Sequence, residues 1–237
     1  MFKTAYPSTE VSLSTIKRAC QDLGWTMKRT RYCLLISEVN KEKRIEWCLD
    51  RVLSNDLQLS DMIWTDECLV QLKSHWKITY HISVESLQRW WADPNILQKV
   101  HIWAGTSAKG ATAVVIFIGI LTATRYTDIL DATILPFIEE HYPTHHHFQQ
   151  DNDSKHMSRW AQSYFKENNI NWLKTPASSP DLNPIENVQG MMKNYLRSTV
   201  MPKNTHELQM GIKEFWKTMT PEVCKCYVGH LQKVIPK

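Results

Sequence analysis

Short β-forming runs that lead into a carboxylate constrain this chain more than any other feature. Met62-Ile63-Trp64-Thr65 runs into Asp66-Glu67, and Phe148, behind three histidines, runs into Gln149-Gln150-Asp151-Asn152. Leu69 to Leu72, Trp76 to Ile82, Val100 to Ala104 and Ala113 to Ile118 read as further strands, rich in β-branched and aromatic residues. Thr122 or Thr124 then caps a helix whose Tyr126, Ile129, Leu130, Thr133, Ile134, Phe137 and Ile138 recur on one face. A helix from about Met157 to Asn168, a strand over Ile170 to Lys174, a turn-rich loop from Pro176 to Pro184 and a helical half from Ile185 complete the order. Strands first, then helices alternating with strands, predict an α/β fold with a mixed sheet flanked by helices. Sites in such sheets gather where strands end, which singles out Asp66 and Asp151.

The first fifty-five residues have a different texture. Ser14 to Leu23 reads as a short helix with a serine cap and Gly24 as its stop. Lys28, Arg29 and Arg31 precede a longer amphipathic helix, in which Ile45, Cys48, Leu49, Val52 and Leu53 form the expected core stripe. Charge is unevenly placed: residues 1–31 hold six Lys/Arg against two acids, residues 193–237 hold eight against three, and the middle is net acidic. Basic ends around an acidic centre suit a protein that grips a polyanion and holds cations at its heart. The longest apolar run, Ala111 to Leu121, falls short of the roughly 20 residues a membrane span needs, and no secretory leader opens the chain. The six cysteines form no Cys-x-x-Cys pair and read as free thiols. None of the seven glycines builds a phosphate cradle, so no nucleotide cofactor is expected.

Three acids form the candidate chemistry. Asp66 and Asp151 each follow a strand run, and Glu186 sits in the first turn of a helix, with 34 residues between it and Asp151. Carboxylates converging from separate elements repel one another unless a cation neutralises them, so the cluster reads as a hard-metal site for magnesium or manganese. Such ions serve phosphoryl transfer. Asn183-Pro184-Ile185-Glu186 is also a helix-start signature, with an Asn cap, Pro at the first position and Glu closing a capping box. The two readings of Glu186 are compatible, because the positive helix end favours its ionised form. His145-His146-His147 is expected as a partly exposed polar edge, and Trp90-Trp91 as core.

Three segments resemble the transposases of the Tc-one/mariner superfamily: Trp64-Thr65-Asp66-Glu67-Cys68, Phe148 to His156, and Pro176 to Asn187. Their order and the 34-residue gap match the Asp-Asp-Glu signature of the Tc-one branch. His101-Ile102-Trp103-Ala104-Gly105 and Lys109-Gly110-Ala111-Thr112 resemble that branch too. The resemblance implies an RNase H-like fold, a five-stranded mixed sheet flanked by helices, preceded by a small helical segment. It implies that Asp66, Asp151 and Glu186 bind two Mg²⁺ ions, with Mn²⁺ as substitute, and that Asn152 and His156 support them. An alternative for His156 is a histidine that merely caps or packs on its own helix. The implied reaction cuts transposon ends and joins the freed 3′ hydroxyl to target DNA at a TA step. The implied partners are terminal inverted repeats, target DNA and a second copy of the chain, in the nucleus. Residues 1–55 are then the remnant of a helix-turn-helix DNA-binding domain plus a linker, with only the end of its second unit, about Val11 to Trp25, remaining. Lys17, Arg18, Lys28, Arg29 and Arg31 are its DNA contacts, and residues 56–237 form the catalytic domain. Ser154, Met157 and Gln189 stand where the pattern has Pro, Thr and Trp. The competing expectation is a catalytically silent, truncated or domesticated DNA-binding protein that keeps the fold.

Overall fold

β1 (Met62–Gln71) is the longest strand and the centre of the sheet in the computed structural model, which describes residues 12–24, 36–53, 59–72 and 99–234. It pairs antiparallel with β2 (Lys99–Ser107) along its length, from Ile63↔Ser107 to Gln71↔Lys99. Beyond β2 lie β3 (Gly110–Ala111) and β4 (Val115–Phe117), both antiparallel to it, at opposite ends. On the other side β1 pairs parallel with β5 (His147–Gln149), and β5 with β6 (Trp172–Leu173). The expected five strands are therefore six strands in five lanes. The outer lane breaks at 112–114, where the Thr112 hydroxyl accepts from Gly105 N at 2.8 Å.

Helices cover both faces. α3 (Ala123–His141), capped by Thr122, and α4 (Arg159–Glu167), capped by Ser158, pack on one face. The expected α3 stripe is realised: Tyr126, Ile129, Leu130, Ile134 and Phe137 join Ile63, Trp103 and Phe148 in one core. α5 (Pro184–Tyr195), α6 (Thr205–Lys217) and α7 (Pro221–Val234) cover the other face, over Cys68, Val70, Val100 and Ile102. The two faces follow from strand alternation: odd-numbered Ile63 joins the first core, even-numbered Cys68 and Val70 the second. A π-helical turn, Leu196–Val200, ends at left-handed Met201 and separates α5 from α6.

The chain divides into two units, Met1–Leu35 and Ile36–Lys237. In the first, α1 (Leu13–Asp22) has Ser12 as its cap, and Gly24 at φ +73° follows its end. The boundary falls at 35/36 rather than the expected 55/56. The reason is α2 (Glu38–Leu53), which packs with the sheet: Trp47 shares a cluster with Met62, Trp64 and Leu182, and Arg44 grips Asp181. Its buried edge also differs from the expected stripe. Trp47 is 8% exposed, while Ile45 and Leu49 are 60% and 51% exposed. Arg44, Trp47 and Cys48 share a helix face, and the indole offers more area than Ile45, so the helix docks along that edge.

The expected strands Met62–Thr65 and Leu69–Leu72 are one strand, so Asp66 lies in mid-strand and not past its end. Trp76 to Ile82 and Trp90-Trp91 lie outside the described residues. Among the described residues no helix is long and apolar enough to cross a membrane, and Cys20, Cys48, Cys68, Cys224 and Cys226 are free thiols.

Candidate active site

Two hydrogen bonds set the frame. Thr65 Oγ1 donates to Gln149 O at 3.0 Å, tying β1 to β5, and Asn183 Nδ2 donates to Thr65 O at 3.5 Å, tying the start of α5 to β1. Asp66, Asp151 and Glu186 thereby line one cleft of about 590 Å³. Asp66 comes from mid-β1, Asp151 from two residues past β5, and Glu186 from the first turn of α5.

The carboxylates feel one another. Burial, then the charges of Glu186, Glu67 and Asp151, push the Asp66 carboxyl up to about 8, against a weaker pull from the Glu67 N–H that it accepts at 2.8 Å. Asp151 goes the other way. Burial raises it, but His156, the Asp153 N–H and the nearby Lys155 together hold it below its ordinary value. Asp153 itself is lowered to about 2, chiefly by its hydrogen bond from Lys155. Burial and neighbouring acids thus raise Asp66, while cationic partners lower Asp151 and Asp153.

The helix-start signature at Asn183 is only partly realised. Asn183 occupies the cap position and Pro184 the first turn, yet the Asn183 side chain makes no capping bond. It turns to β1 instead, and Glu186 stays exposed at the cleft. The expected capping box is therefore absent: the Asn183 side chain reaches the sheet, and its N–H donates to Pro180 O rather than to Glu186. Gln149 Oε1, Asn152 Oδ1 and Asn183 Oδ1 are buried at this cleft with no hydrogen-bond partner.

Asn152 donates from Nδ2 to Thr175 O at 2.8 Å, and Thr175 Oγ1 donates to Gln150 O at 3.0 Å, so the chain after β5 is laced to the loop after β6. His156 does not cap its own helix. Its Nδ1 meets Asp151 Oδ1 at 2.7 Å and its Nε2 meets Glu67 Oε1 at 3.0 Å. Burial lowers the imidazole, but these two carboxylates outweigh it and lift it to about 9. Glu67 went unnoticed in the sequence, although one signal was there: an acid at an odd β1 position faces the core side and needs partners. Lys17 and Arg18 are exposed on α1, in the other unit, while Lys28, Arg29 and Arg31 lie outside the described residues. Gln189, where the pattern has Trp, is buried on α5 with its Nε2 unpartnered.

The profile of the DDE superfamily endonuclease matches residues 61–209. The chain is 26% identical over 215 residues to the transposable element Tcb1 transposase of Caenorhabditis briggsae, covering 88% of this chain and 78% of that protein. It is 25% identical over 218 residues to the transposable element Tc3 transposase of Caenorhabditis elegans, covering 86% and 62%. The Mos1 mariner paired-end complex with Mn is similar in structure, with a TM-score of 0.76 at 18% identity over 99% of this chain and 72% of that one. The isolated Mos1 catalytic domain superposes with a TM-score of 0.67 at 16% identity, covering 87% and 95%. With the profile spanning more than half its length, and with transposases of the Tc1/mariner type similar to it over most of its length, the chain belongs to the DDE superfamily endonucleases.

Proposed function

We propose that the cleft is the catalytic centre of a DNA transposase in which Asp66, Asp151 and Glu186 hold two divalent ions, Mg²⁺ or Mn²⁺, with Asn152 and His156 in support. The observation that carries this is the meeting of three carboxylates from three elements in one cleft, with Asp66 pushed up to about 8. The donor set fits such ions: the facing groups are oxygens, including three buried amide oxygens without partners, and hard cations prefer oxygen. The similar Mos1 paired-end complexes with Mn and with Mg support the same choice. Bound ions would activate an attacking oxygen and stabilise a leaving one. The chain's own residues place the acids: Thr65 and Asn183 fix the two elements against each other, and Asn152 fixes the segment that bears Asp151.

The substrates are transposon-end DNA, bearing the terminal inverted repeats, and target DNA at a TA step, and the working assembly is a dimer on DNA in the nucleus. The Mos1 paired-end complex with left transposon end and the Mos1 strand-transfer complex support the DNA partners. An intact carboxylate trio favours an active enzyme over the silent alternative.

The test is strand joining on pre-cut transposon-end DNA in Mn²⁺, with wild type beside Asp66→Ala, Asp151→Ala and Glu186→Ala. Joining by wild type and none by the three folded variants is expected. Equal product from wild type and Glu186→Ala would place the activity elsewhere.

A further inference from the structure

Glu67 and Asp153 are the acids beside the cleft that the proposed trio does not use, and of the two Glu67 is the more buried. It follows Asp66 on β1, so its side chain leaves by the opposite face, towards α3. There it is largely buried, and both its oxygens are engaged: Oε1 with His156 Nε2 at 3.0 Å and Oε2 with Lys155 Nζ at 3.7 Å. The other ring nitrogen of His156 reaches Asp151 Oδ1 at 2.7 Å. His156 is 1% exposed, and its imidazole lies against the Tyr126 ring, with centroids 4.3 Å apart. Tyr126 is fully enclosed and donates to Gln150 Oε1, one residue before Asp151.

The contrast in anchoring gives these contacts a purpose. Asp151 is half exposed and stands beyond a strand of three residues, where no ladder bond fixes it. Glu67 stands in the middle of the ten-residue β1, paired on the β2 side along its length. Asp151 Oδ1 accepts from His156 and, at 3.1 Å, from Asp153 N, which leaves Oδ2 as the available oxygen. We infer that Glu67 is a positioning residue: through His156 it holds the Asp151 carboxylate in one orientation, so that a single oxygen is offered to a divalent ion. This rests on the proposed metal role of Asp151. The donor atoms of Glu67, Asp151 and His156 lie within 4.8 Å of one another, a spacing that could also hold an ion. Here, however, both imidazole nitrogens face carboxylates and a lysine ammonium already sits on Glu67, which favours positioning over ligation. Partners of this kind behind a metal ligand are typically worth 10–100-fold in metal affinity.

The experiment uses the full chain as wild type, Glu67→Gln, Glu67→Ala and His156→Gln, with two readouts. The metal-free proteins are followed by the nitrogen-bound protons of the His156 ring in NMR spectra, and Mn²⁺ affinity and stoichiometry by calorimetry. Expected is a slowly exchanging Nε2 proton in wild type that is lost in Glu67→Ala, with Mn²⁺ bound roughly 10–100-fold more weakly by Glu67→Ala and by His156→Gln at unchanged stoichiometry. Glu67→Gln, whose amide oxygen still accepts from Nε2, should keep the proton and most of the affinity. The His156 variant breaks the chain from the other end, so the result does not depend on one variant folding. Wild-type Mn²⁺ affinity in a folded Glu67→Ala overturns the inference while leaving the metal site standing. A loss in Glu67→Gln as large as in Glu67→Ala, with one ion fewer bound, makes Glu67 a ligand and overturns it too. A wild type that binds no Mn²⁺ at all removes the site, and this inference with it.

Discussion

A carboxylate in the middle of a central strand must be held by something, and Asp66 is held by very little. It accepts one backbone N–H, from Glu67, and otherwise faces burial and three other acids, which keep its folded pKa near 8 against an ordinary 3.8. The sign of the resulting pH dependence follows from proton counts. Between about 4 and 8 the folded chain binds more protons at Asp66 than the unfolded chain does, and stability falls with rising pH wherever the native state binds more. Metal-free protein should therefore lose stability at Asp66 as pH climbs through this window, and Asp66→Asn should flatten that part of the profile. Urea unfolding at pH 5, 6.5 and 8 with a chelator present measures it. A variant whose midpoint still falls with pH as the wild type's does would show that Asp66 is not the group responsible. The same residue shows why a mid-strand acid is hard to interpret from sequence. Asp66 and Glu67 look like one acidic pair, yet alternation sends them to opposite faces, one to the cleft with Glu186 and the other to His156.

At the scale of elements, the closest approach in the site's framework is between β1 and β2. Gly105 pairs with Thr65, and a Cβ built there would lie 2.8 Å from Thr65 Cγ2, 2.9 Å from Thr112 Cγ2 and 3.2 Å from Trp64 O. Neither threonine methyl can swing away freely, because β-branched side chains are stiff at χ1, and Thr112 Oγ1 is occupied by Gly105 N. Gly105→Ala should cost about 2–3 kcal/mol, the upper range of overpacking penalties, and should weaken joining by displacing the strand next to Asp66. Adding Thr65→Ser and Thr112→Ser removes both methyls while keeping both hydroxyls, so it should restore a large part of the loss in a denaturant titration. No restoration would locate the cost elsewhere than in these contacts. Elements bounded by clear periodicity were legible: the buried stripe of α3, its Thr122 cap and the Ser cap of α1 are written in spacing alone. Two features were not, each because a tertiary contact outweighs a local pattern. α2 turns Trp47 inward instead of Ile45 and Leu49, and Asn183 reaches β1 instead of capping α5. The order of the three acids was readable. Their setting was readable only in part: Asn152 and His156 were expected beside Asp151, but the contacts of His156 with Glu67 and of Asn152 with the loop after β6 join segments remote in sequence.

For the whole molecule, charge distribution is the property that a transposase reading must use. Residues 1–31 carry six Lys/Arg against two acids, in a unit separate from the one that bears the cleft. Lys17 and Arg18 project from α1 with no ion pair among the described residues, which leaves them available to phosphate. Each phosphate neutralised by a protein cation releases counterions, so log affinity falls with log salt by about 0.9 per contact. Changing Lys17, Arg18, Lys28, Arg29 and Arg31 together to Ala should weaken duplex binding at low salt and lower the salt slope by as much as about 4.5, if every one of the five meets a phosphate. The loss should be similar on transposon-end and unrelated duplexes, since phosphate contacts position a protein without reading bases. These cations lie outside the unit that holds Asp66, Asp151 and Glu186, so Mn²⁺ affinity should be unchanged, which separates DNA grip from metal binding in one protein. Fluorescence anisotropy between 50 and 200 mM salt gives the slopes. An unaltered slope in the five-fold variant would move the grip to another basic stretch, with residues 193–237 and their eight Lys/Arg against three acids the next to test.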